Sequence, residues 1–353
     1  MNLAKVAYGL IAVIGSVLVL QTAQHILIPF FLAVLLWFIL KEVSNFVGRL
    51  RIKDKALPSW FNRLTSMVLI FVVLGFVLQL LSSNMQGIAK KLPVYSKNIQ
   101  LVKENFRKNK RMAPVVRWLD QQFKTFKFSS FFSSFLKSIL SSISGLLSNG
   151  FLVILYVLFL VLEEKYFGRK LKALYSDPED YEKATLILGK INESLGQYIT
   201  LKTAISLVTG LLSYAALKMI GVDFPVFWAV IIFLLNYIPT IGSLIATLFP
   251  AVFALLQFAA YGPALSVLVF VGFIQVLVGN ILEPKVMGNS LNVSSLVVLL
   301  ALAFWGWLWG ITGMILCVPV TVMAVIVCAQ FPQSRNIAIL LSEKGNLESV
   351  SRA

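Results

Sequence analysis

Apolar residues along this chain come in long blocks separated by short polar stretches: Val6 to Leu20, Ile26 to Leu40, Leu64 to Leu81, Phe151 to Leu162, Ile199 to Ile220, Phe227 to Leu256, Leu265 to Leu282 and Val293 to Val327. A helix of about 20 apolar residues crosses a bilayer, and the longest blocks can hold a pair of helices. The pattern therefore predicts an all-α polytopic membrane protein with about seven to nine membrane helices or half-helices. Lys5 ahead of the first block gives it the look of a signal peptide, but "QTAQH" is a poor cleavage site and a second block follows at once. The two are expected to form a retained hairpin with His25 at its turn.

Two blocks are interrupted in the same way. Between Phe227 and Leu256 stands "NYIPTIGS", Asn236 to Ser243, and after Leu265 the chain runs into "VGNILEPKVMGNSLNVSS", Val278 to Ser295. Each break combines Asn, Pro and Gly, and non-helical backbone at membrane depth is tolerated only when it is buried in protein or lines a watery cavity. Paired breaks of this kind point to a transporter's binding site formed where two interrupted segments meet. The competing reading makes each an ordinary turn at the membrane surface, with Pro239 and Gly242 turning the chain and Asn or Thr capping helices. Pro239, Gly242, Pro284 and Gly288 are the expected breakers.

Charge sharpens the second break. From Trp228 to Gln330 the only formal charges are Glu283 and Lys285, and an ionisable group at membrane depth generally faces a cavity or a partner. Lys202, in "YITLKTAISLVTG", is a third candidate for this pair, with snorkelling to the interface as its plain alternative. Asn236, Tyr237, Thr240 and Ser243 from one break, with Asn280 and Glu283 from the other, supply neutral donors and acceptors suited to a small polar ligand in an apolar pocket. "FWGWLWG", Phe304 to Gly310, reads as an interfacial aromatic belt.

Composition agrees with the block pattern: 58% of the 353 residues are hydrophobic and 13% charged, with a mean hydropathy of +0.86. The net charge of +16 is unevenly spread. Lys41, Arg49, Arg51, Lys53, Lys55 and Arg63 crowd a short connector between spans, which marks it and the N-terminus as cytoplasmic. Residues 82–147 form a basic, amphipathic, helical extramembrane segment, and alternation of spans puts it outside the cytoplasm. Its mixture of lysines and phenylalanines suits membrane-surface contact, and no groove-reading or base-stacking module supports a nucleic-acid partner. The stretch "EKATLILGKINESLGQYI" reads as an amphipathic helix feeding the next span. The expected blocks are thus 1–81 with three spans, the basic segment 82–147, a transport core 148–335 and a polar tail 336–353.

Enzyme chemistry finds no foothold. There is one His, and Cys317 and Cys328 lie in one helix about 16 Å apart, beyond disulfide reach. No triad, Walker loop or paired carboxylates can be found, and neither a metal site nor a cofactor is expected.

"LKTAISLVTG", "FLLNYIPTIGS", "GNILEPKVMG" and "FWGWLWGITGMILCVPVT", in order from Tyr198 to Val327, resemble the autoinducer-2 exporter family of inner-membrane permeases. The family's Asn-x-Ile-Pro-x-Ile-Gly motif maps onto Asn236, Ile238, Pro239, Ile241 and Gly242, and its Glu-Pro-Lys/Arg motif onto Glu283, Pro284 and Lys285. Many members carry Pro where this chain has Ser243, which leaves the tip less rigid. The resemblance implies export of a small signalling molecule, homo-oligomers of pentameric form and an elevator-like movement of a transport core. It also implies a second function, sodium(lithium)/proton antiport, described for some relatives. Glu283 suits proton coupling in either case. A membrane scaffold that grips anionic surfaces through residues 82–147 is the non-transport alternative.

Overall fold

The computed structural model describes residues 3–48, 58–108, 134, 150–287 and 292–345. Every regular element among them is helical: α1 (Leu3–Thr22), α2 (Gln24–Gly48), α3 (Ser59–Lys108), α4 (Gly150–Leu174), α5 (Pro178–Ile220), α6 (Pro225–Leu235), α7 (Ile241–Phe258), α8 (Tyr261–Leu277), a π turn (Val278–Leu282), α9 (Glu283–Met287), α10 (Ser295–Gln330) and α11 (Arg335–Leu341). Six helical stretches are long and apolar enough to cross a membrane, with Ala7–Thr22 and Pro225–Leu235 as shorter apolar ones. This is the polytopic all-α protein that the block pattern predicts.

The helices sort into two compact units, and neither is a single stretch of sequence. The first takes α1, α2, the opening turns of α3, α4, the N-terminal half of α5, α10 and α11; the second takes the rest of α3, the C-terminal half of α5, and α6 to α9.

In the first unit a single residue, Ala23, separates α1 from α2, and its N–H still donates to Val19 O as a helix would (2.8 Å). The backbone thus stays helical through the turn expected there, with Leu27 N–H in turn donating to Ala23 O at 2.9 Å. His25 lies exposed at the start of α2, and α2 packs along α4 with Phe30 edge-on to Tyr156 at 6.0 Å. Asp177 starts α5, its Oδ1 accepting from the Glu179 N–H at 2.9 Å ahead of Pro178 and two acidic residues in the first turn, a combination that suits a helix N-terminus.

The aromatic run is more than a belt. Within α10, Gly310 adopts φ 61 and ψ −141 and breaks the helix, a conformation open in practice to glycine alone. Trp309 turns inward beside the break, 5.5 Å from the Phe31 ring and 4.8 Å from Trp305, and its Nε1 donates to Leu20 O at 3.2 Å. Trp307, 68% exposed, and Phe304, 39% exposed, keep the environment of belt residues. A Cβ on Gly313 would stand 1.9 Å from Trp305 O, so the turn admits no side chain there.

The second unit has a core of Phe227, Trp228, Ile232, Leu217, Phe253 and Val267, all buried, with the Trp228 and Phe253 rings 5.3 Å apart. Helix α6 folds back as α7, and α7 packs along α8. Helix α3 does not stop at the end of its apolar block but continues as one helix through Pro93 to Lys108, so the first part of the basic segment extends a span. Its remainder, 109–147, lies outside the described residues apart from Ser134, as does the connector 49–57. The polar tail begins as α11, whose Leu341 O accepts from the Ser294 N–H at 3.0 Å, and leaves the described residues after Gly345.

Candidate functional site: a polar centre inside apolar helices

Helix α6 ends because Pro239 has no N–H to offer a following turn and restricts Ile238 before it. The chain reverses in a narrow tip. Tyr237 N–H and Ile238 N–H donate to Leu234 O and Leu235 O, and Ile241 N–H reaches back only two residues to Pro239 O at 2.5 Å. That last bond closes a γ-turn on Thr240, held at φ 56 and ψ −59, the rare and strained form for a β-branched residue. Gly242 is obligatory by contact: a Cβ there would lie 1.9 Å from Leu235 O. Ser243 donates to Thr240 O at 2.8 Å, a tie that proline cannot make, so the serine holds the tip by a hydrogen bond where a ring would hold it by rigidity.

The second interruption differs from its expected form. From Val278 to Leu282 the backbone widens to a π turn, with the Glu283 N–H donating to Val278 O, five residues back, and the chain then stays helical through Met287. Pro284 explains the widening, since its ring would strike the carbonyl of residue 280 in a regular α-helix. The break therefore falls after Met287; Gly288 lies outside the described residues, and Asn292 to Ser294 are non-helical. Glu283 is consequently a helical residue whose direction is set by the π turn.

Both segments meet one turn of α5. Lys202 Nζ stands 2.5 Å from Glu283 Oε1, Thr203 Oγ1 and the Tyr237 hydroxyl share a hydrogen bond of 2.7 Å, and Asn236 Nδ2 donates to Ser206 Oγ at 3.0 Å. Lys202 is 4% exposed and Asn236 7%. Thus Lys202 does not snorkel; it is the partner of Glu283. Lys285, by contrast, is exposed and makes no ion pair with Glu283 among the described residues. Thr240 and Asn280 are exposed and Ser243 half-buried, so of the expected polar set Asn236, Tyr237, Lys202 and Glu283 converge while Thr240, Ser243, Asn280 and Lys285 do not.

Besides Lys202, the convergence uses Thr203 and Ser206, which no sequence motif marks as site residues. Lys202, Ser206, Thr209 and Ser213, all buried, recur at intervals of four, three and four, which lines one face of α5 with polar groups. That period inside an apolar span was the available signal. Thr209 satisfies itself on Ile205 O at 2.8 Å, whereas Ser213 Oγ and Gln275 Nε2 are buried without a hydrogen-bond partner. Buried polar groups are normally paired, so the second unit holds donors in excess of what its own fold uses.

Polar side chains and an ion pair set among apolar, membrane-length helices define a polytopic membrane protein equipped to handle polar cargo. The chain belongs to the AI-2E family of transporters, whose family model matches residues 9–333. It is 31% identical to the AI-2 transport protein TqsA of Escherichia coli strain K12, over 92% of this chain and 91% of that protein. A Haemophilus influenzae protein, whose name assigns it to transport only provisionally, is 30% identical over 97% of both chains. The protein is accordingly a multi-span membrane transporter and not an enzyme.

Proposed function

We propose that this transporter exports a small polar signalling molecule, autoinducer-2 or a close chemical relative, across the cytoplasmic membrane. The observation that carries the reading is the Lys202–Glu283 pair, linked through one turn of α5 to Asn236 and Tyr237 at the tip. The hydroxyls and amides of that centre match a polyhydroxylated ligand, and its apolar surroundings exclude competing water. The name of the Escherichia coli relative supports the same substrate class.

Export is coupled to proton entry in this reading. Taking up a proton neutralises Glu283 and dissolves its ion pair with Lys202, leaving the ammonium alone, so proton uptake and release of the pair go together. The moving body works like an elevator within a homo-oligomer, pentameric by family resemblance, in the inner membrane with a cytoplasmic N-terminus. Sodium(lithium)/proton antiport uses the same carboxylate, but its single carboxylate already holds a cationic partner, which leaves little for a metal cation. A scaffold role would make no use of the pair.

The test is the autoinducer-2 pool inside and outside cells lacking the gene, complemented by wild type, Asn236→Ala or Glu283→Gln at equal expression. A raised internal pool corrected only by the wild type is expected. An unchanged pool in the deletion strain refutes the substrate, and sodium- or lithium-dependent proton flux in vesicles then decides for the antiporter. Export that ignores an imposed pH gradient refutes the coupling alone.

A further inference from the structure

The first unit contains a small polar cavity that the transport reading does not use. It holds about 80 Å³ and is lined by Trp37, Lys41, Ser44 and Asn45 of α2, Arg63 of α3, and Glu164 of α4. On α2 these lining residues fall on one face, spaced four, three and one apart.

Three helices change character at the level of this cavity. Helix α2 passes from the apolar run ending at Leu40 to Lys41, α3 passes from Arg63 into the apolar run starting at Leu64, and α4 passes from Leu162 to Glu163. An apolar-to-charged transition shared by neighbouring helices marks the edge of the hydrocarbon layer, where phospholipid headgroups lie. Trp37, one turn deeper, carries Lys41 Nζ 5.4 Å over its ring, the pairing of aromatic and cation typical of that depth.

The cations are positioned but not consumed. Among the described residues Lys41 Nζ makes one hydrogen bond, to Asn192 Oδ1 at 3.0 Å, and retains further donors. Arg63 stands 3.7 Å from Glu164 and its side chain is 43% exposed, a separation too long for a hydrogen bond. Glu42, the other carboxylate nearby, is turned toward Gly196 of α5. Among the described residues two cations therefore face one carboxylate, with the Ser44 hydroxyl and Asn45 amide as neutral donors.

We propose that this cavity binds the phosphodiester headgroup of an anionic phospholipid. Lys41 and Arg63 take the phosphate oxygens, Trp37 lies along the upper acyl chain, and Glu164 competes for Arg63 and so weakens the site.

The test uses the full-length protein purified in detergent, with native mass spectrometry reading retention of added phosphatidylglycerol, phosphatidylethanolamine and phosphatidylcholine, and inorganic phosphate in a separate arm. Lys41→Gln and Arg63→Gln should each weaken phosphatidylglycerol retention about 5-fold and the double variant about 30-fold, with phosphatidylcholine unaffected. Glu164→Gln should strengthen it, an effect that misfolding cannot produce. Unchanged phosphatidylglycerol retention in the double variant, or weaker retention in Glu164→Gln, overturns the proposal. Phosphatidylethanolamine retained in preference to phosphatidylglycerol would assign the cavity to a zwitterion, with Glu164 on its ammonium. Inorganic phosphate displacing the lipid with the same dependence on Lys41 and Arg63 would assign it to a soluble anion. Either result also overturns the proposal.

Discussion

Lys202 and Glu283 face each other across 2.5 Å with unequal access to water: the lysine side chain is 6% exposed and the glutamate 24%. Removing one member of a buried pair costs about 3–5 kcal/mol because the other is left charged and unpaired. The asymmetry decides which loss hurts more. Glu283→Gln strands the buried ammonium and should approach the lower end of that range, whereas Lys202→Gln leaves a carboxylate that water still reaches and should cost less. Lys202→Met with Glu283→Gln together should recover much of the stability while transport stays lost. Melting of the purified protein in detergent ranks the three; a double variant less stable than Glu283→Gln alone contradicts the account.

Gly242 sets a harder limit. Because a Cβ there would lie 1.9 Å from Leu235 O, Gly242→Ala forces the tip open rather than merely tightening it. Overpacking of this kind costs about 1–3 kcal/mol, occasionally more, and the displaced Asn236 and Tyr237 lose their bonds to α5. Export should fall more than protein yield does. Gly272→Ala is the control, since a Cβ there meets only the Thr247 methyl at 3.6 Å, and it should behave as wild type in both measurements.

Thr240 tests the same tip from the other side. Its φ of 56 and ψ of −59 cost a β-branched residue about 1–3 kcal/mol, and its exposed side chain has no role in the polar centre. Thr240→Gly should therefore raise the melting temperature, although glycine's greater freedom in the unfolded chain offsets part of the gain. A lower melting temperature together with intact export would show that the γ-turn is not strained.

How much of this centre could be read from the chain depends on whether a signal was local. The tip was legible because Pro239 and Gly242 act on their immediate neighbours, and Glu283 stood out as one of two charges in a long neutral stretch. Its partner was legible only as one of two candidates: adjacency offered Lys285 and the apolar span offered Lys202, which could equally have snorkelled, and only the fold brings Lys202 on α5 to Glu283. The break after Gly279 was misplaced for a related reason, since Pro284 can be absorbed by a π turn without ending a helix. Gly310 escaped notice because tryptophans around it matched the simpler pattern of an interfacial belt.

Asp223 gathers the connections at the other end of the second unit. Its Oδ2 accepts from Lys91 Nζ at 2.6 Å and from the Tyr95 hydroxyl at 2.8 Å, and its N–H donates to Gln257 Oε1 at 2.7 Å. This clasp ties the extension of α3 to the α5–α6 turn and the end of α7. Burial, and then the neighbouring Asp223, holds the Tyr95 hydroxyl above its ordinary ionisation range, so Tyr95 is a permanent donor. The sign follows: a proton held more tightly in the folded state stabilises fully below the unfolded value of 10.0 and is lost only as pH rises beyond it. Tyr95→Phe should cost about 1.5–3 kcal/mol, the range for a hydrogen bond to a charged group, and the deficit relative to wild type should be the same at pH 7 and pH 9. A deficit that shrinks between those two values would mean that Tyr95 ionises there and that the clasp is not held by its proton.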